Sequence, residues 1–135
     1  LLDCRDHLLF TGDTIYPGTL VTHLEGANFE AYIESLRYLE TLSDQISHLC
    51  PGHNEAYSSK ELLTRVLAAF EGIASDEVDF EMQEKTRIYQ FDQFRVILPW
   101  KSADTSRFYR PVLTISLWTI SRSIPTATPL MLTAV

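Results

Sequence analysis

Two short polar motifs follow apolar runs of the chain, and both carry side chains able to bind a metal ion. Asp13 follows an apolar run that ends at Gly12, and His53 follows another that ends at Pro51-Gly52. A carboxylate beside a buried strand is rare unless it is paired or coordinates a cation. Because zinc accepts oxygen and nitrogen donors, Asp13 and His53 are candidate zinc ligands. Two ligands fall short of a complete zinc site, and a turn-forming Asp and a loop His are the alternative interpretations.

The segments around these motifs alternate between strand and helix patterns. Residues 8–11 and 45–50 are apolar runs bounded by turn residues, which is typical of buried strands. Apolar residues recurring every three or four positions predict two helices, the first with Phe29, Tyr32, Ile33, Leu36, Leu39 and Leu42, the second with Leu62, Leu63, Val66, Leu67, Phe70 and Ile73. This order of elements predicts an α/β layer structure.

The ends of these elements have recognisable signals. Asn28 is the predicted N-cap of the first helix. Ser58, with Glu61 three residues on, fits a capping box for the second helix.

Further short strands and loops complete the pattern. Residues 1–4 are expected to pair with 8–11, and residues 87–91 and 94–98 flank a turn and predict a hairpin. We expect a loop that holds Pro17, Gly18 and Gly26 after Asp13, and a solvated acidic linker at Glu77, Asp79, Glu81 and Glu84.

Composition excludes several classes of protein. The chain has 135 residues and a net charge of −7, so a protein that wraps nucleic acid is disfavoured. No run approaches the roughly 20 apolar residues of a membrane span. Cys4 and Cys50 are too few for a disulfide scaffold, which favours reduced thiols in a cytoplasmic protein.

The character of the chain changes near residue 100. Residues 1–100 hold all but one of the acidic side chains, whereas residues 101–135 carry Lys101, Arg107, Arg110 and Arg122 against Asp104 alone. The second segment is also rich in Ser, Thr and Pro. Such a shift marks a boundary, so we interpret 101–135 as a basic extension of uncertain structure.

The segments LFTGD (9–13) and LCPGH (49–53) have one predicted helix between them and one after. In this order and spacing they resemble the C-terminal half of a metallo-β-lactamase-fold metallohydrolase, and the resemblance covers residues 1–100. The stretch FTGDTIYPG (10–18) is most similar to members that resemble acyl-CoA thioesterases. The resemblance implies half of an αββα sandwich, with the hairpin closing this half.

The resemblance also implies roles for individual residues. Asp13 would bridge two metal ions and His53 would bind the second, in a dinuclear zinc centre that iron or manganese could also fill. A hydroxide held there would attack an ester or thioester carbonyl of a small acyl substrate. Tyr16 and His23, in the loop after Asp13, would contact that substrate.

The chain departs from the family at its main metal motif. His-X-His-X-Asp-His occurs nowhere in it, and His7, His23 and His48 are not at matching positions. We therefore expect a hydrolase fragment that is inactive by itself. The alternative is a non-catalytic half-domain that serves as a structural or interaction module. In either case half of the sandwich would be missing, and exposed apolar surface would favour self-association.

Overall fold

A computed structural model describes residues 1–100, which form two α-helices and eight strands. In chain order the elements are β1 (Leu2–Asp3), β2 (Leu8–Gly12), β3 (Gly18–Val21), α1 (Phe29–Glu40), a 3₁₀ helix (Ser43–Gln45), β4 (His48–Pro51), β5 (Ser58–Ser59), α2 (Glu61–Ala74), β6 (Glu81–Gln83), β7 (Thr86–Gln90) and β8 (Phe94–Pro99). The fold is α/β, as the alternating patterns predict. The extension at 101–135 lies outside the described residues.

The first sheet has the strand order β1-β2-β4-β5 and carries both polar motifs. β1 pairs antiparallel with β2, which confirms the predicted partner of residues 8–11. β2 and β4 run parallel, with Leu9 opposite Leu49. Since parallel neighbours need a crossover connection, the chain passes through β3 and α1 between them. The carboxyl ends of β2 and β4 therefore meet at one edge of the sheet.

The second sheet has the order β3-β8-β7-β6 and contains the predicted hairpin, β7–β8. The prediction of a loop around Gly18 was wrong in part, because Gly18–Val21 forms β3. Its partner is β8, with Leu20 opposite Val96 far along the chain. The prediction of an acidic linker was also wrong in part, because Glu81–Gln83 forms an edge strand that pairs with β7.

Helix α1 begins where the sequence predicts. Asn28 has an extended backbone, and its Oδ1 accepts a hydrogen bond from the backbone N–H of Ala31 at 2.9 Å. This bond satisfies one of the N–H groups that have no partner within the helix. At the other end, Arg37 reaches Glu71 of α2 at 2.8 Å and ties the two helices together.

Helix α2 begins without the predicted capping box. Its N-cap is Lys60, which makes no side-chain capping bond. Ser58 instead lies in β5, where it pairs with Leu49 of β4. Its hydroxyl donates to Glu55 Oε2 at 2.9 Å. The backbone of Ser58 is thus extended in a sheet three residues before the helix starts. Strand β4 is also shorter than predicted, because Ser43–Gln45 forms a 3₁₀ helix.

One apolar core joins both sheets and both helices. Phe70 of α2 is fully buried there and stacks on Phe29 at 5.1 Å and on Tyr32 at 4.6 Å between ring centroids. On the opposite face of β2 from Leu9, Phe10 is 47% exposed. Whether this apolar surface supports self-association stays a prediction. Within residues 1–100, neither helix has the length and apolar character needed to cross a membrane.

Candidate functional site

Asp13 and His53 lie side by side at the carboxyl edge of the first sheet. Asp13 Oδ1 is 3.0 Å from His53 Nε2. The two side chains are 84% and 55% exposed, so the pair is open to solvent. The structure therefore brings together the two residues that sequence analysis selected as metal ligands.

The backbone aligns the two strand ends through an irregularity in β2. The register shifts between Phe10 and Gly12, so that Gly12 lies opposite Pro51. Beyond the last pair, the backbone N–H of Gly52 donates to the carbonyl of Gly12 at 2.9 Å. This bond extends the contact between the strands by one residue and places Asp13 next to the Gly52-His53 turn.

Gly52 allows the two turns to approach closely. A Cβ atom at this position would lie 3.2 Å from Asp13 Oδ1 and 3.2 Å from both the carbonyl carbon and oxygen of Gly12. Such distances are tighter than ordinary van der Waals contacts. A side chain at position 52 would therefore push the Asp13 carboxylate or the backbone of Gly12 away from the His53 turn.

Tyr16 forms one wall of the site. Its ring meets the His53 ring edge-on, with centroids 5.2 Å apart and planes at 62°. Its hydroxyl donates to the carbonyl of Thr19. Burial, and then the negative charge of Asp13, raise the pKa of Tyr16 above its ordinary value. The phenol is therefore neutral at physiological pH, and the ring is the part that contacts His53.

Hydrogen bonds from β2 and from α1 hold the loop that carries Tyr16. The buried Thr11 hydroxyl donates to the carbonyl of Ile15 at 2.7 Å, and Ile15 itself is fully buried. Tyr32 of α1 donates its hydroxyl to the carbonyl of Thr14. Burial, and then the neighbouring Tyr16, raise the pKa of Tyr32 well above its ordinary value. The loop is thus fixed to both the first sheet and the first helix.

Asn54 belongs to this site, and our sequence analysis missed it. Its backbone has φ +67°, in the left-handed region, and its Nδ2 donates to the carbonyl of Pro17. Asn is among the few residues that adopt this conformation readily. An Asn in a turn after Pro51-Gly52 was therefore the available sequence signal. Nothing in the sequence indicates that the Asn54 amide reaches Pro17.

The remaining histidines, including the candidate His23, are not bonded to the pair within residues 1–100. His23 follows β3 and is exposed, and no hydrogen bond, ion pair or ring contact within residues 1–100 joins it to Asp13 or His53. His7 Nδ1 lies 3.0 Å from the carbonyl of Gln45. His48 is on β4, with its ring edge-on to Tyr57.

The donors at the sheet edge fit a divalent metal in type. Asp13 offers two carboxylate oxygens and His53 one imidazole nitrogen, and both are accessible. Among residues 1–100, no group of three or more His, Cys, Asp and Glu side chains is placed to hold a metal ion. The described residues can therefore supply part of a coordination sphere, and further ligands would have to come from outside them.

No protein-family model matches the sequence, and no curated protein matches it significantly.

Proposed function

We propose that this chain is part of a metal-dependent hydrolase of esters or thioesters, in which Asp13 and His53 are two of the metal ligands. The observation that carries the proposal is the 3.0 Å approach of Asp13 Oδ1 to His53 Nε2 at the carboxyl ends of two adjacent parallel strands. In open α/β sheets, ligands bind outside the carboxyl ends of the strands. The metallo-β-lactamase-like sandwich is part of the same proposal.

Exposure of the pair supports a role beyond folding. A solvent-exposed ion pair contributes between zero and about 1 kcal/mol to stability. Yet several features hold this one together: the bulge in β2, the Gly52 N–H bond to Gly12, and the Tyr16 ring against His53. Several supporting contacts around a pair that contributes little to stability are expected where the positions of the two side chains matter for binding.

Each residue of the site would have a different role, set by the chemistry of its side chain. Asp13 can bridge two cations because it has two oxygens, and His53 offers a single neutral donor. The chemistry that zinc, iron or manganese would supply here is activation of water and polarisation of a carbonyl oxygen. The ring of Tyr16 would contact a small acyl substrate, because its hydroxyl already donates to the carbonyl of Thr19. The exposed loop of His23 would be a second contact for that substrate.

Metal binding by the full 135-residue chain tests the proposal. Cobalt(II) is the probe, because NMR signals near a bound paramagnetic ion shift or broaden and so locate it. Two protein ligands leave the remaining positions around Co²⁺ to water, so binding is weak and Co²⁺ is added in large excess over the chain. We expect the affected amides to cluster at residues 12–16 and 52–54. Asp13→Ala and His53→Ala should each weaken Co²⁺ binding at least about tenfold, since loss of outer partners of a ligand already costs that much.

Matched controls separate specific from diffuse binding. Asp6→Ala and His48→Ala remove an exposed carboxylate and an exposed imidazole that lie away from the pair. Both should leave Co²⁺ affinity unchanged. If the wild-type chain shows no localised effect of Co²⁺, or if the four variants behave alike, the assigned roles fail. The chain would then be better interpreted as a non-catalytic structural or interaction module.

A further inference from the structure

The side-chain amide of Asn54 joins the turn of residues 52–55 to the loop of residues 13–17. Asn54 Nδ2 donates to the carbonyl of Pro17, the residue that follows Tyr16. Tyr16 in turn places its ring against His53, the residue that precedes Asn54. The two contacts join consecutive residues of the loop, Tyr16 and Pro17, to consecutive residues of the turn, His53 and Asn54.

The backbone of the loop leaves space for this amide. Gly18 has φ +141°, and a Cβ built on it would lie 2.5 Å from Asn54 Nδ2. The same Cβ would lie 3.2 Å and 3.3 Å from two carbon atoms of the Tyr16 ring. A side chain at position 18 would therefore displace the Asn54 amide or the Tyr16 ring, and only glycine avoids both.

The backbone of the turn is closed tightly around Asn54. Asn54 has φ +67°, and the N–H of Glu55 donates to the carbonyl of His53 at 2.8 Å, which closes the turn tightly. Glycine could adopt the same backbone, but it would carry no amide. Asn at this position therefore supplies a hydrogen-bond donor that Gly would lack.

We propose that Asn54 is a positioning residue that locks the Tyr16 loop onto the His53 turn and so fixes the His53 ring beside Asp13. Its relevance to metal binding rests on the proposed function. His53 is exposed, and within residues 1–100 its ring is held by the 3.0 Å contact with Asp13 and by the edge-on Tyr16 ring. Groups that orient a metal ligand without touching the metal typically change affinity 10- to 100-fold.

Three variants separate the amide from the backbone. Asn54→Gly keeps the left-handed conformation and removes the amide, whereas Asn54→Asp keeps the size and removes the donor. Gly18→Ala keeps Asn54 but places a Cβ against both its amide and the Tyr16 ring. The readout without metal is the nuclear Overhauser effect between the Tyr16 and His53 rings, together with the chemical shifts of the His53 ring at constant pH.

We expect all three variants to weaken the Tyr16–His53 Overhauser effect and to shift the His53 ring signals. Co²⁺ affinity should fall about tenfold in Asn54→Gly. The unfolding midpoint, measured on the same samples, shows that each variant is folded when its ring signals are compared.

The outcomes distinguish this inference from the proposed function. Wild-type ring signals in folded Asn54→Gly and Asn54→Asp would overturn the positioning role, even if Co²⁺ binds as proposed. Loss of the ring contact in both variants, with no Co²⁺ bound by the wild-type chain, would support the positioning role and reject the metal site. If Asn54→Asp alone changes the signals, repulsion by the new carboxylate explains them and the amide is not required.

Discussion

The surroundings of Phe70 and the Asp13–His53 pair represent opposite ways of holding side chains in place. Phe70 is fully buried and stacks on the rings of Phe29 and Tyr32. Asp13 and His53 are 84% and 55% exposed and touch each other through one 3.0 Å contact. Burial of apolar area dominates folding, whereas exposed ion pairs contribute little. The comparison teaches that the core specifies the fold, while the pair can be changed with little effect on it.

The largest effect is expected at the core. Phe70→Ala should lower the free energy of unfolding by about 3–5 kcal/mol, because it removes buried apolar area and leaves a cavity beside two rings. That is a large part of the stability of an ordinary domain. Urea unfolding followed by circular dichroism measures the change.

A surface aromatic on α1 provides the matched control. Tyr38 is 66% exposed, so Tyr38→Ala should change the free energy of unfolding by no more than about 0.5 kcal/mol. Phe70→Leu keeps most of the apolar volume and should fall between the two. Equal effects of Phe70→Ala and Tyr38→Ala would mean that the aromatic cluster is not the main core of the domain.

The core is also the part that the sequence predicts best. The stripes of both helices and the hairpin follow from periods that are local in the chain, and Asn28 caps α1 through Ala31 three residues away. The missed strand β3 has no such local signal. Its partner residues in β8 are more than 70 positions away, so pairing of Leu20 with Val96 is a property of the folded domain alone.

The site was predictable in its residue types and not in its supports. Asp13 and His53 were selected because each follows an apolar strand, and parallel pairing of β2 and β4 brings them together. Asn54 was missed because its role depends on where the carbonyl of Pro17 lies. The predicted capping box is absent for a related reason, because Ser58 pairs within β5 and its hydroxyl donates to Glu55.

Tyr32 connects the two regions, and its pH dependence tests that connection. One face of its ring stacks on Phe70, and its hydroxyl donates to Thr14 beside Asp13. Its pKa is raised, so the folded state holds the phenolic proton more tightly than the unfolded state does. The resulting stability is fully present below the ordinary pKa near 10.0 and is lost as pH rises above it.

We therefore expect Tyr32→Phe to have two effects. At neutral pH it should cost about 1 kcal/mol through the lost hydrogen bond to Thr14. Between pH 9 and 11 the stability of the variant should fall less steeply than that of the wild type, as measured by urea unfolding at each pH. Tyr38→Phe, an exposed tyrosine on the same helix, should retain the wild-type slope. Parallel slopes for Tyr32→Phe and wild type would show that Tyr32 is not the group responsible.

The smallest effect on stability is expected at the pair itself. Asp13→Ala and His53→Ala should each change the free energy of unfolding by less than about 1 kcal/mol, because both side chains are exposed and their contact is screened by solvent. Urea unfolding at neutral pH and moderate salt provides the measurement. A loss comparable to that of Phe70→Ala would place Asp13 and His53 among the residues that hold the fold, and their spacing would then be explained without any ligand. A small loss, combined with loss of Co²⁺ binding, would instead show that the pair is retained for what it binds, since the folded domain does not depend on it.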